Sequence, residues 1–224
     1  ACFKNNVSLT LKTGGPAAIR DIFEAFQLGA KNILIPMIES EYSLEYFINA
    51  YNKFQKDFKD LNEINKLAIN IESKTGYKNL DKILESIELN SFPVTYFVIG
   101  RTDLSSSLKI QDVNSREILD ISKDIIQKAF LKNVKCTIGG NLSSDSFEFL
   151  NQLKRHNLYA FESRKTTFRF SDSISKEEFN NLIKLSLEFE LSWLKLKSSM
   201  YAIRSNEEDA RVSIINSRLK SNND

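Results

Sequence analysis

The chain has 224 residues, 42% of them hydrophobic and 27% charged, and 31 basic residues against 29 acidic ones leave a net charge of +2. These values exclude a collagen-like, mucin-like or wholly disordered chain and suit one domain with its own core. So even a charge leaves no footprint for nucleic acid or a membrane surface, and no run of eighteen apolar residues offers a membrane helix.

The two cysteines, Cys2 and Cys136, stand far apart, match no zinc or redox spacing and read as free thiols, a usage that suits the cytoplasm. The chain starts at Ala1 without a secretory layout, so this start reads as a cut into a longer polypeptide.

Short apolar runs predict strands at 7–13, 32–38, 67–73, 96–100, 134–138 and 159–161. Between the first two, Ile19, Ile22, Phe23 and Phe26 recur at helical spacing; Pro16 suits the first turn and Gly29 the left-handed residue past the end. Further helices are expected at 42–58, 78–89, 115–131 and 144–156. Pro36 lacks a ladder donor and predicts a bulge or an edge in the second strand. Strands separated by helices mean a parallel sheet buried on both faces. The regular pace suits a doubly wound sheet or a barrel, and the expected fold is an α/β (β/α)8 TIM-type barrel, incomplete at the amino terminus, with a long C-terminal helix.

That last helix is expected at 175–204, with Leu182, Ser186, Phe189, Trp193, Leu196, Met200 and Ile203 in one seam and Ile183, Leu187, Leu191 and Leu194 widening it. Such a face can pack on its own barrel or also on another subunit, a homo-oligomer. Residues 1–204 then form a single domain, and 205–224, opening with Asn206, Glu207, Glu208 and Asp209, a polar extension that frays.

Gly14, Gly15, Gly76, Gly100, Gly139 and Gly140 fall at or just past predicted strand ends, where α/β folds bind ligands and where ordinary turns also need glycine. Alternation puts Asn70 and Glu72 on one face of the third strand, and Asp103 follows the end of the next in Gly100-Arg101-Thr102-Asp103. Two carboxylates on neighbouring strand ends can share a hard cation such as Mg²⁺ or Mn²⁺; they can equally pair with Lys12 or Arg101 as a salt-bridge cluster. Lys12 at the first strand end can hold an enolate oxygen. Thr13-Gly14-Gly15-Pro16 opens a helix whose free N–H groups can take an anion, or is a capped turn. Ser105, Ser106 and Ser107 read as an anion-binding or plain loop, and Glu39 as a cavity carboxylate or a helix-start acid. The single histidine, His156, ends a helix and is not read as catalytic, and no Walker loop, dinucleotide fingerprint or zinc motif occurs.

Taken in order, Ile-Pro-Met-Ile-Glu-Ser at 35–40, Asn-Ile-Glu-Ser at 70–73 and Ile-Gly-Arg-Thr-Asp-Leu-Ser at 99–105 resemble the HpcH/HpaI aldolase and citrate lyase beta-subunit family, over about residues 7–170. That resemblance implies a phosphoenolpyruvate/pyruvate-type barrel that binds a divalent metal and makes or breaks carbon–carbon bonds through an enolate. It places Glu72 and Asp103 at the metal, and Asn70 where the aldolases have a glutamine near the substrate. Lys12 falls where they keep an arginine on the enolate oxygen, so the charge stays and the bidentate fork is lost. Gly100 and Thr102 match the turn before the metal aspartate, with Arg101 between them, and Gly139, Gly140 and Asn141 a strand end that closes the pocket. The aldolases carry a catalytic histidine on strands earlier than any here, so the general base is unassigned.

The expected function is therefore a Mg²⁺- or Mn²⁺-dependent lyase acting on a 2-oxo acid. Lys12 is its catalytic cation, Asn70, Gly100, Arg101 and Thr102 are its substrate contacts, and Glu72 and Asp103 are its metal ligands. An acyl-CoA lyase of the citrate lyase beta type and a non-catalytic ligand-binding or scaffold barrel are the alternatives.

Overall fold

The computed structural model describes residues 3–57 and 66–221, with side chains for 4–57 and 66–215. Cys2, Phe58 and the last residues of the expected tail lie outside them. The chain alternates β1 (Thr10–Lys12), α1 (Ile19–Gln27), β2 (Asn32–Ile35), α2 (Glu41–Asp57), β3 (Lys66–Ile71), α3 (Lys74–Lys78), α4 (Leu80–Leu89), β4 (Val94–Gly100) and α5 (Arg101–Leu108). It continues with α6 (Arg116–Leu131), β5 (Lys135–Gly139), α7 (Ser146–Leu153), β6 (Leu158–Glu162), β7 (Thr167–Arg169) and α8 (Lys176–Ser221).

Local chemistry accounts for the first βαβ unit. Ile22, Ala25 and Phe26 form the buried stripe of α1. Gly29 takes φ +64, letting the Ala30 and Gly29 N–H groups close back on the Ala25 and Phe26 carbonyls in a Schellman end. Pro16 lies ahead of α1 rather than in its first turn, because the helix begins only at Ile19. The strand expected through residue 38 stops at Ile35: Pro36 has no N–H for the ladder, and Met37 turns to φ +54. Ser115 caps α6 by accepting the Ile118 N–H.

The sheet order is β1-β2-β3-β4-β5-β6-β7, parallel from β1 to β6. This is an α/β fold with one curled sheet, a half-barrel, which agrees with the expected incomplete barrel and is not a full (β/α)8 barrel. Strand β7 pairs antiparallel with β6. The link between them is too short for a crossover helix, and the Ser163 N–H bonding the Thr166 carbonyl closes a hairpin. Alternation gives each strand two jobs: Ile33, Ile69, Ile71, Phe97, Ile99, Ile138 and Phe161 pack under the helices, while Leu34, Ala68 and Val98 form a small separate cluster with Tyr96.

The start of α8 docks by Phe179, whose ring lies 5.6 Å from Phe147 and 5.2 Å from Phe161. The helix then runs 46 residues to Ser221, through the segment expected to fray. Nothing there stops it, since the last glycine is Gly140 and the last proline Pro93. Among the described residues no helix is long and apolar enough to cross a membrane.

Candidate functional site

The register lines up Lys12, Leu34 and Ala68, then Asn70, Val98 and Thr137, then Gly100 and Gly139, across one face of the sheet. That face is apolar at its middle and turns polar at the carboxyl ends of the strands. There the Glu72 carboxylate is buried, at 3% exposure, in a net of donors. Its Oε1 accepts the Met37 N–H at 3.0 Å, which the left-handed turn after Pro36 aims inward. Its Oε2 accepts Asn70 Nδ2 at 2.7 Å and lies 3.7 Å from the Lys12 ammonium, itself half exposed. A Cβ on Gly100 would stand 2.8 Å from both Glu72 Cβ and Oε2, so only glycine leaves room for this carboxylate.

Asn70 is 2% exposed, and its Oδ1 is buried without a hydrogen-bond partner. An orphaned acceptor costs about 1–3 kcal/mol, which a donor or a cation brought by a ligand offsets.

Lys12, Asn70, Glu72 and Gly100 thus come together as expected from the sequence, and the Lys12 ion pair is part of the same arrangement. Thr102 and Asp103 are exposed in the first turn of α5, with no hydrogen bond to Glu72 among the described residues. Arg101 has a different place from the substrate contact expected of it. It is fully buried; Nε donates to the Gly139 carbonyl, Nη2 to the Gly140 carbonyl and Ser146 Oγ, and Nη1 to Asn114 Oδ1. The guanidinium also lies 4.7 Å from the Phe149 ring centre. Burial lowers its pKa to about 10 against the opposing pull of Asp112. Arg101 therefore anchors the start of α5 to the loop after β5, and its fork is spent on protein carbonyls rather than a ligand.

The structure also decides three readings that the sequence left open. Ser105, Ser106 and Ser107 are helical, and the Ser105 and Ser107 hydroxyls donate to the Thr102 and Leu104 carbonyls within α5. The Gly14 N–H is taken by Asp21 Oδ2 at 2.7 Å, so that turn is capped by its own helix. Glu39 accepts the Ser73 hydroxyl at 2.5 Å and ties the ends of β2 and β3 together. Cys136 is a buried free thiol whose pKa burial raises.

Glu162, at the end of β6, was not expected because that strand was ended one residue early. Its signal was present: Glu-Ser follows β2 after a short turn at 39–40, follows β3 directly at 72–73, and recurs at the end of β6 at 162–163. Burial pushes the Glu162 carboxyl up to about 7, against the Lys12 ammonium and the Thr167 hydroxyl, with the Glu72 charge adding to the rise. Tyr96, on the same face, is pushed up to about 12 chiefly by burial, and the Glu162 charge contributes. The half-barrel thus curls far enough for groups on β1, β3, β4 and β6 to share one field.

A family model for HpcH/HpaI aldolase/citrate lyase matches residues 10–145. Among solved structures, an HpcH/HpaI aldolase from Desulfitobacterium hafniense DCB-2 is similar, with TM-score 0.54 and 16% identity over 72% of this chain and 68% of that one. An HpcH/HpaI aldolase/citrate lyase family protein from Burkholderia cenocepacia J2315 gives TM-score 0.51 and 14% identity over 69% of this chain and 66% of that one. These likenesses show the fold. No curated protein matches the chain.

Proposed function

The chain belongs to the HpcH/HpaI aldolase/citrate lyase family, and from that membership we infer a divalent-metal lyase that works on a small 2-oxo acid through its enolate. The observation that carries the reading is the buried Glu72 carboxylate, held by Met37 and Asn70 beside the Lys12 cation at the mouth of the sheet.

A hard cation suits the donors. Glu72, Asp103 and the orphaned Asn70 Oδ1 are all oxygen, and Mg²⁺ or Mn²⁺ accepts one or two carboxylates with the rest of its shell from substrate and water. No group of three or more His, Cys, Asp or Glu gathers among the described residues, so Glu72 and Asp103 would hold the ion together with the substrate. When bound, such an ion supplies Lewis-acid stabilisation of enolate charge.

The chain's own residues supply the remainder. Lys12, half exposed and 3.7 Å from Glu72, offsets negative charge on the enolate oxygen. Asn70 orients Glu72 through Nδ2 and keeps Oδ1 for a ligand donor or the cation. Gly100 provides the space in which Glu72 sits, and Arg101 holds the helix start that carries Thr102 and Asp103. The apolar floor of Leu34, Ala68 and Val98 excludes water beneath the reacting carbons.

Calorimetric titration of Mg²⁺ or Mn²⁺ with oxalate, an enolate mimic, tests this. Wild type binds, and Glu72→Ala abolishes binding; a wild type that binds oxalate with neither metal sinks the reading. Cleavage assays with hydroxylated 2-oxo acids against acyl-CoA esters then separate the aldolase from the citrate lyase type.

The partner proposed for α8 is a second copy of the chain. Past its docked first turns, Phe189, Trp193, Leu196, Met200 and Ile203 repeat every four and three residues and are each about half exposed, the spacing of a coiled-coil seam. Light scattering is expected to give an oligomer for wild type and a smaller species for the double variant Trp193→Glu, Met200→Glu. A monomeric wild type at micromolar concentration removes the proposal.

A further inference from the structure

Two carboxylates close in on one floor from opposite sides. Gly100 on β4 and Gly139 on β5 are register partners, side by side at the carboxyl ends of their strands. Glu72, from the β3 side, leans over Gly100, where an added Cβ would meet its Oε2 at 2.8 Å. Glu162, from the β6 side, leans over Gly139, where an added Cβ would meet its Cγ at 3.1 Å and its Oε1 at 3.3 Å. Parallel strands lie about 4.8 Å apart, so the two carboxylates stand within about 11 Å of each other across a strip of bare backbone.

We propose that Glu162 is the acid–base residue of this site, exchanging a proton with a substrate laid on the Gly100–Gly139 floor. The assignment rests on the oxo-acid reading above and adds the group that moves the proton. Glu72 is engaged by Met37, Asn70 and Lys12. Glu162 accepts from the Thr167 hydroxyl at 3.4 Å, and no ion pair holds it among the described residues. The groups facing it are Lys12 from β1, Glu72 from β3, Tyr96 from β4 and Thr167 from β7. His156, the chain's one histidine, lies before β6, at the other end of the strand from Glu162.

In cleavage, the Glu162 carboxylate takes the proton of the substrate's 4-hydroxyl. The C3–C4 bond breaks, C4 leaves as an aldehyde, and the bond's electron pair stays on C3 and the keto oxygen as the enolate, next to Lys12. The Glu162 carboxylic acid then returns the same proton to C3, giving a pyruvate-type acid with no net proton change. A carboxyl placed at about 7 by burial has both forms available at neutral pH.

The test combines oxalate binding with exchange of the pyruvate C3 protons for deuterium, followed by NMR on the full chain with Mg²⁺. Glu162→Gln should bind oxalate within about threefold of wild type while exchange falls roughly 10²–10⁴-fold. The wild-type exchange rate should rise with pH through about 7, as the carboxylate forms, and this break should vanish in Glu162→Gln and survive in Glu162→Asp. Exchange in Glu162→Gln within tenfold of wild type, or a retained pH break, overturns the assignment and leaves the oxo-acid reading standing. So does a wild type that binds oxalate and exchanges nothing. A variant that loses oxalate binding with its fold intact by circular dichroism makes Glu162 a binding group and overturns the acid–base role. A wild type that binds no oxalate overturns both readings.

Discussion

Thermal unfolding of Arg101→Met is expected about 10 °C below wild type, a loss of roughly 3 kcal/mol at 2–4 °C per kcal/mol for a chain of this size. The side chain is fully buried and serves Gly139 O, Gly140 O, Asn114 Oδ1 and Ser146 Oγ at once. Methionine matches much of its length and its contact with Phe149 but donates nothing. Several acceptors are then left without their donor, each costing about 1–3 kcal/mol, while relief of the buried charge offsets part of the sum. Oxalate affinity should fall as well, because the start of α5 is no longer tied to the loop after β5. Differential scanning calorimetry decides: a shift below about 2 °C would mean that water replaces the guanidinium and that Arg101 is no anchor.

Gly140→Ala is expected to destabilise by about 2–4 kcal/mol and to weaken Mg²⁺-oxalate binding at least tenfold. Gly140 has φ +87, and a Cβ there would stand 2.6 Å from Thr102 N, 2.8 Å from Arg101 N and 2.9 Å from Thr102 Oγ1. Backbone strain of about 1–2 kcal/mol for a left-handed alanine adds to a clash with main-chain atoms that cannot rotate away. The clash pushes the first turn of α5, and Asp103 with it, off the strand mouth. Gly14→Ala is the control: its Cβ would meet Asp21 Oδ2 at 3.5 Å and Ala18 Cβ at 3.7 Å, ordinary contacts, so both readouts should stay near wild type. Equal losses in the two variants would mean that the helix start does not set the binding geometry.

The parts of the fold that were legible have short-range causes. The stripe Ile22, Phe26 with Gly29 after it announces a helix and its end, and α1 closes there. Alternation through 67–73 put Asn70 and Glu72 on one face, and they are hydrogen bonded at 2.7 Å. Strand β7 was missed because Thr167–Arg169 is too short to show a period, and α5 because Arg-Thr-Asp-Leu-Ser-Ser-Ser carries little apolar patterning. The expectation of an incomplete (β/α)8 barrel carried the local βα rhythm through its last strand, whereas the hairpin at 163–166 ends that rhythm with an antiparallel strand.

The sequence by itself determined most of the strands and helices, though not β7 or α5, the donor chemistry at the strand ends and, through its motifs, the family. These follow from spacing along the chain and from the side chains present, which need no knowledge of neighbours. Only the tertiary structure decided that Arg101 turns inward to carbonyls on the next strand and loop, that Asn70 keeps a buried oxygen free, and that Glu162 is partly withdrawn from water in the field of Glu72. Each of these depends on inter-strand register and on the curl of the sheet, which bring together residues 30 to 90 positions apart, and desolvation and hydrogen bonding exist only once those partners have met.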